Sequence, residues 1–219
     1  MKCTQTNKEW LEAYFGESVM AIPSSERAGS GKEWVQCPEG SHVARCVTLV
    51  DLGVQATHFG DKEQVYIGFE VYDHRVEWEK DGVQHEGPGL IGVTWTNNLY
   101  EEANLGKNLI SWRGRPFTDA EKELFDLGNL LGVPCILTVI HNESKGKTYA
   151  NIASITGIPR GLDTPPQETA SIGYSPRDPD TFGNLSKLPE WLQKKANDGV
   201  FVTPEEEYVD DFGDQEIPF

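Results

Sequence analysis

Five histidines and four cysteines, set among 35 acidic side chains, are the groups that could do chemistry, and their spacing decides which kind. His42, His58, His74, His85 and His141 are scattered, and no serine or cysteine stands beside a base in a pattern that would make it a nucleophile. Cys37, His42 and Cys46 offer three zinc-type ligands, but the spacing fits no zinc knuckle and supplies no fourth ligand. Asp73, His74, Glu77, Glu79 and Asp81 gather the carboxylates that a metal-dependent nuclease needs; in so polar a run they read better as solvated charge. Gly29-Ser30-Gly31-Lys32 imitates a phosphate loop without the leading glycine, the preceding strand or the metal-binding hydroxyl. The expectation is a protein that is not an enzyme and holds no metal or cofactor.

What remains is a combination of flat rings and cations, which is what an unpaired nucleic-acid strand requires: rings for bases to stack on, and cations that follow the phosphates. Asn104 to Thr118 places Lys107, Arg113 and Arg115 among Trp112 and Phe117 with no acid in the window. A packed loop with both rings in the core would give the same pattern. Lys145 and Lys147 beside Tyr149, with Arg160 just beyond, form a second basic set that ordinary turn solvation also explains. Tyr66 and Tyr72 point away from the apolar side of their strand, so they either stack on bases or cover a barrel beneath another segment. Arg45 adds a cation in the preceding strand, while Trp95 fits burial better than stacking.

The elements that must position these groups follow from hydrophobic period. His42 to Gly53 carries a β-branched run, Gln64 to Tyr72 alternates around Val65, Ile67, Phe69 and Val71, and Leu90 to Thr96 supplies a third strand. Asp73 to Gly89 between them reads as a long excursion or hairpin tip. Thr118 and Glu121 form a capping-box pattern, the stripe Ala120, Leu124, Leu127 and Leu131 predicts one helix, and Gly132 with Pro134 ends it. Cys135 to His141 and Lys147 to Ile155 complete a hairpin. Three strands, a helix and a hairpin is the element order of the OB fold. The fold class expected is mainly β with helical insertions: an OB-fold-like small barrel with an N-terminal extension and a disordered acidic C-terminal tail. The boundaries are 1–40 for a helical extension (Trp10, Leu11, Tyr14, Phe15) and its linker, 41–160 for the barrel, 161–203 for a Pro/Gly-rich linker with a short helix near Leu188 to Lys195, and 204–219 for the tail.

A length of 219 residues suits one domain with appendages, and no apolar run is long enough to span a membrane or lead a secretory signal. Reduced thiols and a cytoplasmic location are expected. The net charge of −16 repels nucleic acid on its face, yet Glu205 to Phe219 holds seven acids and no base, leaving −9 on the rest.

That tail is the most informative stretch. Asp210-Asp211-Phe212-Gly213-Asp214-Gln215-Glu216-Ile217-Pro218-Phe219 resembles the carboxy-terminal tail of bacterial single-stranded DNA-binding proteins. A terminal phenylalanine presents a ring and a carboxylate together, Pro218 limits the freedom lost on docking, and the acids steer approach. Val43 to Pro159, with Val65-Tyr66-Ile67-Gly68-Phe69-Glu70, Trp112-Arg113-Gly114-Arg115-Pro116-Phe117 and Tyr149-Ala150-Asn151-Ile152, looks like the replication-associated single-stranded DNA-binding proteins of tailed bacteriophages. The resemblance implies an OB-type fold, sequence-tolerant binding of single-stranded DNA, and recruitment of replication or recombination proteins by Asp210, Asp211, Asp214, Glu216, Ile217, Pro218 and Phe219. It leaves room for a homo-oligomer and gives no role at a membrane. The alternative expectation is an adaptor, such as a helicase loader or polymerase tether, that binds partners and not DNA.

Overall fold

A computed structural model describes residues 35–80, 82–144 and 146–201. The expected N-terminal helix, the Ser24 to Lys32 stretch, Lys145 and the acidic tail lie outside the described residues.

β1 (Gly40–Thr57), β2 (Gly60–Lys80) and β3 (Val83–Thr96) form an antiparallel meander; α1 (Asn104–Arg113) and α2 (Asp119–Leu124) precede the β4 (Pro134–Ser144) and β5 (Lys147–Thr156) hairpin. The strand order is β3-β2-β1-β4-β5, and β6 (Ile172–Tyr174) adds a short parallel pairing to β1. The sheet curls until β3 and β5 approach one another without joining in a ladder, which makes a half-barrel of the OB type. Irregularities in β1 between Cys46 and Thr48 and between Asp51 and Val54 permit the curl. At the second, Gly53 takes φ +61°, a conformation that disfavours any residue with a Cβ. The excursion between the second and third strands is itself a continuous hairpin out to the Lys80 and Val83 pair, stiffened by Trp78 stacked on His85 at 5.6 Å.

Alternation in β1 to β5 directs one set of side chains inward. Cys46, Ile67, Phe69, Ile91, Leu137 and Ile155 fill the barrel, with Leu105, Leu109 and Trp112 of α1 packed in the same core. α1 falls in the basic stretch that the sequence reading left without a helix. The single helix expected from Thr118 onward is broken. Phe125 is extended, and the Asp126 carboxylate accepts the Gly128 N–H at 2.7 Å, capping a separate 3-10 turn at Leu127–Leu130. α2 keeps the predicted capping box but buries none of its six residues.

The other side of the meander is covered as well. Val50, Leu52 and Tyr66 form a second cluster with Tyr174, Leu188, Leu192 and Ala196 from β6, the segment after it and α3 (Glu190–Asn197). The stretch read as a linker is therefore a packed layer, and Val65 through Val71 are all buried because the sheet has apolar cover on both faces.

The chain enters β1 under a set of histidines. His42 Nε2 meets the Pro38 carbonyl at 2.9 Å while its Nδ1 meets the Asp73 carboxylate at 2.9 Å, and His141 Nε2 meets the Cys37 carbonyl at 2.8 Å. Cys46 instead lies inside the barrel, so the three zinc-type ligands of the sequence face different partners. Burial holds the His74 imidazole below its ordinary pKa.

Between the barrel and its cover, the Tyr66 hydroxyl and the Trp191 indole N–H are buried without hydrogen-bond partners among the described residues. An unsatisfied buried hydroxyl costs about 1–3 kcal/mol. Tyr66→Phe removes it while keeping the ring, and the expected result is a gain of about 1 kcal/mol, read as a higher urea midpoint at unchanged m-value.

Candidate nucleic-acid interface

The outward face of β1 and β2 brings together three of the expected contacts, Arg45, Tyr66 and Tyr72, and shields them from solvent to different degrees. Tyr66 is 1% exposed, edge-on to Trp191 at 5.5 Å, so it covers the barrel and does not stack on bases. A Cβ at Gly92 would collide with its phenol, which explains a glycine opposite an aromatic ring. Arg45 donates to the Tyr72 hydroxyl at 2.7 Å, to the Gly132 carbonyl at 2.7 Å and to the Pro165 carbonyl at 2.8 Å. Its guanidinium is spent pinning the covering segment. Beside it the fully buried Glu70 carboxylate accepts the backbone N–H of Thr169 at 2.7 Å and lies 3.3 Å from that of Glu168. Uncovered, this face would hold a carboxylate in the path of any phosphate.

The window from Asn104 to Thr118 is also reassigned. Trp112 is 7% exposed, lies against Phe69 and donates its indole N–H to the Pro134 carbonyl at 2.9 Å. Phe117 is 6% exposed and meets Phe125 edge-on. Both rings are core, and neither can take a base. Arg113 lies 4.0 Å above the Phe117 ring and 2.9 Å from Glu121, and Arg115 reaches the same carboxylate at 2.6 Å. Arg115, then the Thr118 N–H and Arg113, hold the Glu121 carboxyl well below the usual carboxylate range. An acid three residues beyond the acid-free window thus takes up two of its cations. Trp95 packs partly buried against the barrel core.

Lys107, Lys147 and Arg160 remain exposed, with no ion pair among the described residues. Lys107 stands on the outer side of α1. Lys147 and Arg160 flank β5 at its start and just past its end. β4 and β5 bury Cys135, Leu137, Val139, Ala150 and Ile152, which turns the paired positions between them outward: Asn142 with Tyr149, Ile140 with Asn151, and Thr138 with Ser154. These six carry neutral hydrogen-bonding groups, one aliphatic chain and one half-buried phenol, and no acid. Aromatic and cationic groups with neutral amides and hydroxyls are the surface chemistry of sequence-tolerant strand binding.

Phe59 escaped the sequence reading. It is 84% exposed at the β1–β2 turn, edge-on to His58, with exposed Lys62 close by in the chain. The signal was present as a phenylalanine between a β-branched run and Gly60, a place where packing gives a ring nothing to do. In OB-type barrels this turn and the β4–β5 turn border the ligand.

Among the described residues no three or more His, Cys, Asp or Glu side chains gather where an ion could be held, and no helix is long and apolar enough to cross a membrane. No protein-family model matches the chain, and no curated protein matches it as a relative.

Burial pushes the Cys37 and Cys46 thiols up to about 12 and raises Cys135 as well. The thiolate is the reactive form. The three are therefore expected to resist a disulfide reagent at pH 8 in the folded protein and to react in denaturant; fast labelling of any one of them in the native state contradicts this burial.

Proposed function

We propose that the protein binds single-stranded DNA without sequence preference through the outward face of the β4–β5 hairpin, and that its acidic tail recruits replication or recombination proteins. The observation that carries the reading is the partly exposed face between β4 and β5, whose six outward positions include Tyr149 and no acid, with Lys147 and Arg160 at its two ends, on an OB-type half-barrel. Several cations elsewhere meet carboxylates: Arg75 with Glu86 and Glu168, Lys122 with Asp119, Arg177 with Glu63. A strand laid along β4 and β5 stacks a base on Tyr149 and hydrogen-bonds to Asn142 and Asn151, while Lys147 and Arg160 displace counterions from its phosphates.

The adaptor reading draws on the acidity of the remaining surface and requires that no oligonucleotide bind. Titration of labelled oligothymidylate, followed by anisotropy at low salt, separates the two. Under the proposal Tyr149→Ala weakens binding about tenfold, since one stacked base is worth about 1–3 kcal/mol. Lys147→Ala lowers the slope of log K against log salt by about 0.7, the share of one phosphate on a single strand. Removing Glu205 to Phe219 leaves affinity equal or higher. Absence of any anisotropy change with the full chain or the truncated one overturns the proposal in favour of the adaptor.

A further inference from the structure

A cleft of about 910 Å³ opens where β1, β2 and the β3–α1 loop meet α2, the 3-10 turn after it and the β6 segment. That volume is near the upper end of the range of roughly 300–1,000 Å³ found for ligand sites. Leu49, Val65, Leu127 and Leu131 supply its apolar lining, and Tyr100 and Phe125 stand among the residues at its edge. Two features beside it are unusual for a surface with no partner. α2 buries none of its residues, and Tyr100, in the lining of the cleft, is 65% exposed. Large apolar side chains grouped around a concave floor mark an interaction site.

Charge selects the occupant. Lys122 and Arg177 line the cleft, but Lys122 is held by Asp119 at 3.0 Å and Arg177 by Glu63 and Asp51. Glu123, Asp126 and Asp178 line it too and have no cation partner among the described residues. The walls are anionic around an apolar floor. Phosphates are repelled from such a cleft, and so is the chain's own tail, with seven acids and no base. A second copy of a chain with net charge −16 is disfavoured on the same ground.

We infer that this cleft docks a basic amphipathic segment of a partner protein, its aliphatic or aromatic side chains on the Leu49 and Leu131 floor and its lysines or arginines against Glu123, Asp126 and Asp178. The surface is distinct from the β4–β5 face, so the partner and a single strand are held at once. Neither site is needed for the other.

The test uses the full chain and a fluorescein-labelled peptide of about twelve residues in which leucine and phenylalanine alternate with arginine and lysine. A control peptide of equal charge replaces the apolar residues with serine. The expected result is binding at least tenfold tighter than the control, lost about tenfold in Tyr100→Ser combined with Glu123→Lys, and unchanged by saturating oligothymidylate. Both substituted side chains are exposed, and a native near-ultraviolet circular dichroism spectrum establishes that the variant is folded. Deuterium exchange should slow over 97–100 and 122–128 when the apolar peptide binds. Four results overturn the inference: equal binding of the two peptides, indifference to the double substitution, displacement of the peptide by oligothymidylate, or self-association of the free protein that Tyr100→Ser abolishes. The oligonucleotide titration above reads the other face, so failure of one proposal is not failure of the other.

Discussion

Burial of β2 on both faces is the constraint from which the rest of the architecture follows. Val65, Ile67, Phe69 and Val71 close the barrel on one side, and Tyr66 and Glu70 must be covered on the other. A sheet buried on two sides needs two layers. Barrel closure provides the first, and the chain from Thr164 to Phe201 provides the second, fastened by Arg45 on the Pro165 carbonyl, by Glu70 on the Thr169 N–H, by the β6 pairing and by the hydrogen bonds between Val54 and Val200. The face that OB barrels commonly give to ligands is thereby filled from within, and the β4–β5 pair keeps a partly exposed outer surface whose outward positions between Thr138 and Asn142 and between Tyr149 and Ser154 carry no acid.

Legibility of the sequence follows the range of the interactions. Local signals were read well: the alternation of Gln64 to Tyr72, the hairpin after Pro134, the Thr118 and Glu121 capping box. What failed was decided by partners far away in the chain. Tyr66 and Tyr72 stand opposite apolar residues and look solvent-facing, but the covering segment arrives about a hundred residues later; for Glu70 the partner N–H groups belong to Glu168 and Thr169. The Asn104 to Thr118 window appeared basic only because it stopped before Glu121. Its two rings had a core reading on equal terms, and α1 chose that reading by turning Trp112 into the barrel. The helix stripe from Ala120 to Leu131 had the right period, yet the Asp126 carboxylate offered the Gly128 N–H a closer acceptor than a continuing helix, and the run divided.

Electrostatics explains how an acidic chain can still leave a few cations free of carboxylates. Arg75, Arg113, Arg115, Lys122 and Arg177 are each tied to a carboxylate and add nothing to the outer field. What matters is where charge is left unpaired. Around β4 and β5 the exposed cations Lys147 and Arg160 border neutral outward side chains, while the carboxylates stand at the margin, Glu39 on the His141 N–H and Glu143 near the turn. Around the cleft beside α2 the unpaired charge is negative, with Glu123, Asp126 and Asp178.

On the proposed reading, two surfaces of different charge on one small barrel divide the labour. A polyanion approaching the molecule loses energy at the cleft and gains it at the hairpin, so long-range steering orients it before contact, and salt weakens that preference over a Debye length of about 8–10 Å. A basic partner is oriented the other way. On that reading the two ligands do not compete, because the unpaired carboxylates of the cleft that make the net balance look hostile to nucleic acid also keep a polyanion out of the proposed partner site.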